Sequence, residues 1–346
     1  MIRHSVALLT VALPLGAQNV EHRTLPSPAA VYDLAGTIRV VPATGGDITI
    51  DIARGGPDAE KLSIAAGEIG DRQALRVMFP GDRIVYPQSH MGYHSSTELE
   101  VADDGTWDNN RHLAGRHVRI VQHGDGLQAY ADLTVHMPPN ARLSVYLGAG
   151  NASVANIDGD IMADVAAASI TTEHTHGALN LDTGSGDLTV RDARGDINLD
   201  AGSGDVTMTG IHGDRLDVDA GSGTIQASAV VYARAKLDLG SGKITLANIS
   251  VDDLSVDAGS GDVDVAFAGP ARRVSVDGGS GDLTLRLPKS FAADIDIDAG
   301  SGGVRSDFVL TRRHGEDETR YSGRIGAGGG YVSIDGGSGT IALLKQ

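Results

Sequence analysis

The chain has 346 residues and no cysteine, its aromatic content is 4%, and its formal net charge at pH 7 is −17. The lack of cysteine excludes disulfide bonds and a lipid-modified N-terminal cysteine. The negative charge disfavours nucleic acid and anionic lipid surfaces as partners, because both would be repelled. Beyond the N-terminal region no apolar stretch is long enough to span a bilayer, so we expect no transmembrane segment.

Residues 1–17 are typical of a secretory signal peptide. Arg3 and His4 give a polar start, residues 6–15 form an apolar run, and Gly16 and Ala17 are the small residues expected before a cleavage site. The apolar run is too short to span a membrane. The alternative interpretation is an N-terminal strand of the mature fold. We therefore expect an exported protein, located in the periplasm, at the cell surface or outside the cell.

A Gly-Ser-Gly triplet recurs eight times in the second half of the chain. The triplets begin at Gly184, Gly202, Gly221, Gly240, Gly259, Gly279, Gly300 and Gly337. Successive intervals are 18, 19, 19, 19, 20, 21 and 37 residues, so the last gap is close to two periods. A period of this size is typical of a protein built from stacked repeats, and not of a globular α/β enzyme.

Apolar residues alternate with polar ones on both sides of each triplet. The third and fifth residues before the first glycine, and the fourth and sixth after it, are mostly aliphatic, as Leu179, Leu181, Leu188 and Val190 illustrate. This period of two predicts a strand with one buried face on each side of a tight corner. We expect glycine at the corner because two positions need a positive φ or a close approach to the neighbouring repeat.

Each repeat is too small to fold alone. Burial of four aliphatic side chains contributes about 8 kcal/mol, whereas ordering about 19 residues costs at least roughly twice as much in conformational entropy. Stacking removes this deficit, since hydrogen bonds and apolar contacts then continue from one repeat to the next. The sequence therefore predicts an all-β fold, a single-stack β-solenoid of about ten coils of 18–21 residues with Gly-Ser-Gly corners.

Two segments interrupt this pattern. Residues 18–147 are expected to form degenerate coils with a loop excursion at 80–126, and residues 148–346 to form the regular repeats with a charged excursion at 312–324. Residues 31–52 are interpreted as an early coil with its corner at 44–47. The corners at 148–150 and 166–168 are interpreted as degenerate copies of the triplet. A localised binding site is best sought in 80–126, because long insertions in repeat proteins often carry the binding face.

Two motifs that resemble enzyme signatures are better explained structurally. The glycine-rich stretch 326–330 leads into a strand, whereas a phosphate-binding loop leads into a helix. A nucleophilic serine of the Gly-x-Ser-x-Gly type occurs once, between a strand and a helix, whereas the Gly-Ser-Gly serine occurs eight times. We predict no catalytic residues, no cofactor-binding residues and a protein that is not an enzyme.

Histidine and aspartate side chains are the candidates for metal binding. The histidines considered are His90, His94, His112, His117, His123, His174 and His176. Aspartate stands two residues before the first glycine of all eight triplets, from Asp182 to Asp335, and Asp164 fits the same slot. This spacing differs from that of calcium-binding β-rolls. We expect solvated histidines, aspartates that accept a corner N–H, and no metal.

The pattern of strand, Gly-Ser-Gly-Asp corner and strand, with the segments 133–138 and 285–291 leading into repeats, resembles the bacterial putative-adhesin family. Members of that family carry a β-strand-repeat domain of unknown function. The resemblance runs from about residue 30 to the end of the sequence, except for 80–126. It implies an exported or envelope β-solenoid, and it brings no catalytic residues.

The sequence favours a non-enzymatic, exported β-solenoid that acts as a cell-envelope, surface or adhesion scaffold. Its partner would be an envelope or extracellular protein or glycan, and the chain would be a monomer or a weak oligomer. The alternatives left open are a glycan-binding or carbohydrate-active β-helix and a calcium-dependent adhesin. An ice-binding solenoid is disfavoured, since Gln226, Asp264 and Arg305 interrupt the threonines that stand five residues after the first glycine.

Overall fold

The computed structural model describes residues 20–89, 95–108, 115–312 and 318–346. The predicted signal peptide at 1–17 lies outside these residues. The fold is all-β: 71% of the described residues are strand, and they include one short 3-10 helix, Ala59–Lys61, and no α-helix. None of them forms a helix long and apolar enough to cross a membrane. One mixed sheet contains 21 strands, and a separate small sheet contains three.

The strands fall into two groups along the chain. The first group is β1 (Val20–Leu25), β2 (Ala29–Pro42), β3 (Ile48–Gly55), β4 (Ser63–Ile69), β5 (Arg72–Met78), β6 (Arg83–Val85), β7 (Ser96–Val101), β8 (Arg116–Val121), β9 (Tyr130–Met137), β10 (Ala141–Ala155) and β11 (Gly159–His176). The second group is β12 (Leu179–Ser185), β13 (Leu188–Arg194), β14 (Ile197–Ser203), β15 (Val206–Ala258), β16 (Asp262–Phe267), β17 (Arg273–Gly278), β18 (Leu283–Leu287), β19 (Ala293–Asp298), β20 (Val304–Ser306), β21 (Leu310–Arg312), β22 (Arg320–Ile325), β23 (Gly330–Gly336) and β24 (Ile341–Lys345).

Successive repeats pair side by side in parallel and in register. Before the corner, Leu179 pairs with Ile197, and Ile197 pairs with Leu216. After the corner, Leu188 pairs with Val206. These pairings define two ladders, which we call the first ladder (strands before each corner) and the second ladder (strands after it). The predicted aliphatic positions are confirmed as core, because their side chains lie in one buried cluster.

The glycines of the corner face the backbone of the preceding repeat. At Gly204, the third corner residue, φ is +145° and a Cβ atom would lie 2.1 Å from the carbonyl oxygen of Gly186. At Gly202, the first corner residue, a Cβ atom would lie 2.6 Å from the carbonyl oxygen of Gly184. No other residue fits at such distances, so the prediction that both positions need glycine is confirmed.

Two further repeating positions were not predicted. The residue before each triplet points into the core and is small or aliphatic, as at Ala201, Ala220 and Leu239. Eight residues after the first corner residue the backbone turns into the left-handed region. That second column consists of Asn156, His174, Asp192, Gly210, Ala229 and Asn248, with φ between +50° and +68°. Asparagine, aspartate and glycine tolerate this conformation best, which explains most of the column.

The first coil differs from the one predicted at residues 31–52. Ala35 pairs with Ala149 and Gly36 pairs with Gly150, so the corner of this coil is 34–36, inside β2, and not 44–47. Residues 43–47 instead lead from β2 to β3, which runs antiparallel to β9. The alternation of Ile48, Ile50 and Ile52 looks the same in either direction, since period two carries no information on strand polarity.

Antiparallel strands close both ends of the first ladder. β4 pairs antiparallel with β5 at the N-terminal end, and β22 pairs antiparallel with β19 at the other end. β1 and β3 close the N-terminal end of the second ladder in the same way. Such terminal strands cover the edges of a parallel array, where unpaired N–H and C=O groups would otherwise recruit other chains.

Residues 80–126 were predicted as a loop excursion, and the described part of this segment is instead a folded insert. Its strands β6, β8 and β7 form the small sheet, whose Leu99 and Ile120 side chains pack over the corner at Gly148. Trp107 is also buried there. The alanines at 149 and 166–168 are therefore explained by cover from the insert, since a serine there would lose its solvent.

The last repeats do not stack in sequence order. β23 pairs with β17 on one side and with β19 on the other. β24 likewise lies between β18 and β20. The repeat around Gly337 thus lies between the repeats around Gly279 and Gly300. The charged excursion at 312–324 contains most of strand β22, which continues to Ile325, and its residues 313–317 lie outside the described ones.

Candidate functional site

The predicted aspartate slot forms one column on the outer side of the first ladder. Asp164 pairs with Asp182, Asp182 with Asp200, and Asp200 with Asp219. Towards the other end the order is Asp257, Asp277, Asp335 and Asp298. At the N-terminal end the same column continues as Tyr146 and Tyr32, whose rings stack with centroids 4.2 Å apart.

The carboxylates of this aspartate column experience different environments. Partial burial, followed by repulsion from Asp182 and Asp219, raises the pKa of Asp200. Asp277 has a raised pKa for the same reasons, with Asp257 and Asp335 as its neighbours. At Asp200 and Asp277 the ionised form is therefore disfavoured, first by burial and then by the neighbouring carboxylates.

Asp298 is the exception at the end of the column. Its carboxylate accepts a hydrogen bond from the N–H of Gly300 at 3.1 Å and one from Arg320 at 3.1 Å. The hydrogen bond from Gly300, then those from Thr319 and Arg320, hold the pKa of Asp298 below its usual value. The prediction that this slot accepts a corner N–H is thus met at Asp298.

A second aspartate slot, three residues after the first corner glycine, bridges neighbouring repeats. Asp187 accepts the N–H of Asp205 at 3.0 Å, and Asp205 accepts the N–H of Thr224 at 2.9 Å. Asp262 and Asp282 bind the N–H groups of Asp282 and Thr340 in the same way. These side chains join the corner of one repeat to the next, so their regular occurrence has a structural explanation.

An acidic cavity lies where the insert meets the aspartate column. It has a volume of about 310 Å³. Asp108 of the insert forms one wall, and Asp164, Asp182 and Asp200 form the other. Next to it, Trp107 packs edge-on against Tyr146 with ring centroids 5.9 Å apart, which holds the insert on the ladder.

A larger groove of about 590 Å³ continues from this cavity across the first ladder, and the two share Met162, Asn180 and Asn198. We call it the ladder groove. Its charged and polar lining is Asp71, Arg72, Arg142, Ser144, Asp160, Asn180, Asp196, Asn198, Arg215 and Asp217. Both signs of charge occur, and donors and acceptors recur at each repeat. Such a surface suits an extended polar ligand that makes hydrogen bonds along its length.

Neighbouring side chains hold one another in place along the ladder groove. Arg72 donates to the Ser144 hydroxyl at 2.8 Å, and Asn198 donates to the Asn180 carbonyl oxygen at 2.8 Å. Arg215 pairs with Asp217 at 2.6 Å. The groove is therefore preformed, which lowers the entropic cost of binding a ligand.

Among the described candidate histidines, His117 and His174 each lie beside a different carboxylate. His90, His94 and His112 lie outside the described residues. His117 lies 3.3 Å from Glu98, and His174 lies 3.5 Å from Asp192. His174 lies in the left-handed column, and His174 and His176 are both exposed. Within the described part of the chain, no three His, Asp or Glu side chains are arranged to hold a metal ion.

Sequence reasoning did not identify the ladder groove. Asn180 and Asn198 stand four residues before successive corners, and Ser144 and Met162 occupy the same slot in earlier repeats. In the sequence this position of the repeat is recognisable only as polar and outward-facing, and any solvent-facing strand residue has that character. Arg72 of the groove and Asp108 of the adjoining acidic cavity come from outside the regular repeats, so spacing could not place them.

A family model described as Toastrack DUF4097 matches residues 144–344. Among solved structures, the chain is similar to the crystal structure of a "putative cell adhesion protein" from Clostridium sporogenes ATCC 15579, with 13% sequence identity, 94% of this chain and 99% of that chain covered, and a TM-score of 0.21. No curated protein matches the chain. The family match spans more than half of the sequence and confirms the resemblance to a putative-adhesin family of unknown function. This chain belongs to the Toastrack DUF4097 family.

Proposed function

We propose that this protein is an exported, non-enzymatic scaffold of the cell envelope or cell surface, with an adhesion-like role, built as a single-stack β-solenoid of about ten coils. The ladder groove is its binding surface, and an envelope or extracellular protein or glycan is its partner. The observation that carries the proposal is the preformed ladder groove, which presents polar side chains at successive coils of a rigid parallel ladder.

Register and spacing support a single stack. From β10 to β17, successive strands of the first ladder pair with residues 18 to 20 positions apart in sequence. The two ends of this run pair with strands further away, β10 with β2 and β17 with β23. Coil-to-coil pairing of this kind makes a stiff rod whose length grows with the number of coils. A stiff rod that carries a lateral groove suits a binding scaffold.

The pairing of groove side chains supports a binding role over a catalytic one. Arg72, Asn198 and Arg215 each donate to a neighbour within the ladder groove. A catalytic site would instead align a nucleophile with a base that activates it. The serine hydroxyl bonded by Arg72, that of Ser144, receives a hydrogen bond from a guanidinium, which cannot act as a base.

A glycan is favoured as ligand by the amide pair of Asn180 and Asn198, because side-chain amides can both donate to and accept from hydroxyl groups. The stacked rings of Tyr32 and Tyr146 do not add a platform for sugars, since both side chains are buried. Recognition in the groove would therefore depend on hydrogen bonds.

Binding of the labelled full chain to intact cells of the producing species tests the proposal. We expect the double variant Asn180→Ala/Asn198→Ala to bind at least ten-fold more weakly than the native chain, with an unchanged melting temperature. Ser275→Ala, in the same outward slot but outside the groove, should bind normally. Loss of binding after periodate treatment of the cells would identify a glycan, and loss after protease treatment a protein. Equal binding by both variants, or no binding by the native chain, would contradict the proposal.

A further inference from the structure

The coil at residues 330–345 fills a gap between two coils that precede it in the sequence. In the first ladder, Val332 pairs with Val274 on one side and with Ile295 on the other. In the second ladder, Ile341 pairs with Leu283 and with Val304. The earlier coils, from β10 to β17, each lie next to the coil that precedes them in the sequence. We call 330–345 the inserted coil and the gap that it fills the slot.

A short glycine-rich link leads into the inserted coil. Ile325, at the end of β22, and Gly330, at the start of β23, both pair with Ala293, on opposite edges of β19. Residues 326–329 therefore cross the beginning of β19, over two strand spacings or roughly 10 Å. Gly326, Gly328 and Gly329 have φ values of +58°, +77° and +110°, which side-chain-bearing residues rarely adopt. The glycine run 326–330, which the sequence left without a function, is thus a crossing hinge.

The inserted coil fills the slot with buried side chains and backbone hydrogen bonds. Val332, Ile334, Ile341 and Leu343 are buried in it. The backbone of Gly337 donates to Gly278 on one side and accepts from Ser301 on the other. Without the inserted coil, the edges of β17 and β18 on one side, and of β19 and β20 on the other, would lack their pairing partner. The apolar side chains of these strands would also lose their cover. The segment that restores every one of these contacts is the same coil from a second copy of this chain.

We propose that the inserted coil is exchanged between two copies of the protein, so that each fills the slot of the other and a swapped dimer forms. All contacts in the slot are the same in the closed monomer and in the swapped dimer, so the balance between them depends on the hinge and on protein concentration. Short hinge loops favour such exchange. This inference goes beyond the proposed function and does not depend on the envelope or adhesion role.

Two single-cysteine variants report exchange directly, since the sequence has no cysteine of its own. Ser275 and Ser333 are paired neighbours across the edge of the slot, and the spacing of adjacent strands falls within the Cα separations that a disulfide can join. Ser275→Cys and Ser333→Cys are mixed at high concentration in mild urea, returned to buffer and oxidised. We expect a disulfide-linked dimer, with mass spectrometry detecting peptides that join positions 275 and 333.

The control mixture is Ser255→Cys with Ser333→Cys, because Ser255 occupies the equivalent outward position in the next coil, beyond Ser275. The native pair should give at least ten times more linked dimer than this control, and light scattering of the unmodified chain should show a dimer fraction that rises with concentration. The double variant Ser275→Cys/Ser333→Cys, oxidised when dilute, should form the bond within one chain. If the double variant forms this disulfide but the mixture of single variants gives no linked dimer, the proposed exchange is wrong. If the double variant folds but does not form the disulfide, the placement of the inserted coil beside β17 is wrong.

Discussion

At the scale of single residues, backbone conformation decides which side chains the repeats accept. In the six coils of the left-handed column, the residue eight positions after the first corner residue has a positive φ, and Ala229 occupies that position with φ of +52°. The neighbouring coils have Gly210 and Asn248 there. In this conformation the Cβ atom of alanine clashes with the backbone, which destabilises the fold by about 1–2 kcal/mol relative to glycine.

We expect Ala229→Gly to raise the free energy of unfolding by about 0.5–1 kcal/mol, because relief of the backbone strain exceeds the extra entropy of glycine in the unfolded chain. Urea denaturation measures the change. The control is Ala233→Gly, four residues later on an exposed strand position outside the left-handed column. There glycine brings only its entropic cost, and stability should fall by about 0.5–1 kcal/mol. Stabilisation by both changes, or by neither, would contradict the role of the column.

At the scale of strands, the alternation of buried and exposed residues fixes which face of a coil is its interior. Val256 lies in the core, whereas the adjacent Ser255 faces solvent. We expect Val256→Asp to cost several kcal/mol of unfolding free energy, since a carboxylate would enter an apolar column without a partner. Thermal unfolding of the purified variants measures the change.

Ser255→Asp is the matched control, because it introduces the same carboxylate one residue away on the outer face. Its effect should lie within about 0.5 kcal/mol of the native chain. A similar loss of melting temperature in the two variants would show that the inside and outside faces are assigned the wrong way round.

The same alternation explains how much of the fold could be predicted from the sequence. The core positions, the glycine corners and the parallel pairing by one repeat follow from local spacing, because adjacent coils bury like residues in register. The spatial order of the last coils cannot be predicted from this local spacing. Val274, Ile295 and Val332 have the same chemical character, so any of the three can pair with either of the others.

The ladder groove was hidden for a related reason. Its walls join regular repeats to residues far away in the sequence, such as Arg72 against Ser144. The sequence predicts a loop at the insert because Ile84, Leu99 and Ile120 lie in short strands separated by polar segments. The corner alanines at 149 and 167 were the available signal, since a corner without serine indicates cover by another part of the chain.

At the scale of the whole molecule, net charge of −17 is distributed in columns, because repetition places like side chains in line. Two unit charges at the spacing of adjacent strands repel by somewhat under about 1 kcal/mol in water, and salt lowers this further. A column of aspartates is therefore stabilising only where hydrogen bonds or cations compensate the repulsion. Asp298 has such compensation, from Gly300 and Arg320.

The raised pKa of Asp200 and the lowered pKa of Asp298 predict opposite effects within one column. Asp200 binds its proton more tightly in the folded state, so its ionisation reduces stability as the pH rises above its unfolded pKa. Asp200→Asn should raise the free energy of unfolding at pH 7 by a few tenths of a kcal/mol, with the gain disappearing in acid. Asp298 stabilises the fold above its unfolded pKa and loses this effect as the pH falls through its folded pKa.

Asp298→Asn is therefore the matched control for Asp200→Asn, and it should lower stability at pH 7 by about 1 kcal/mol, because the charge-assisted bonds to Gly300 and Arg320 are weakened. Repeating both measurements with millimolar calcium separates the scaffold from the calcium-dependent adhesin. If hydrogen bonds and cationic side chains of the protein alone offset the repulsion within the aspartate column, calcium changes the melting temperature little and Asp200→Asn remains stabilising. If calcium bridges Asp182, Asp200 and Asp219, calcium stabilises the native chain strongly and Asp200→Asn becomes destabilising, which would favour the calcium-dependent adhesin instead.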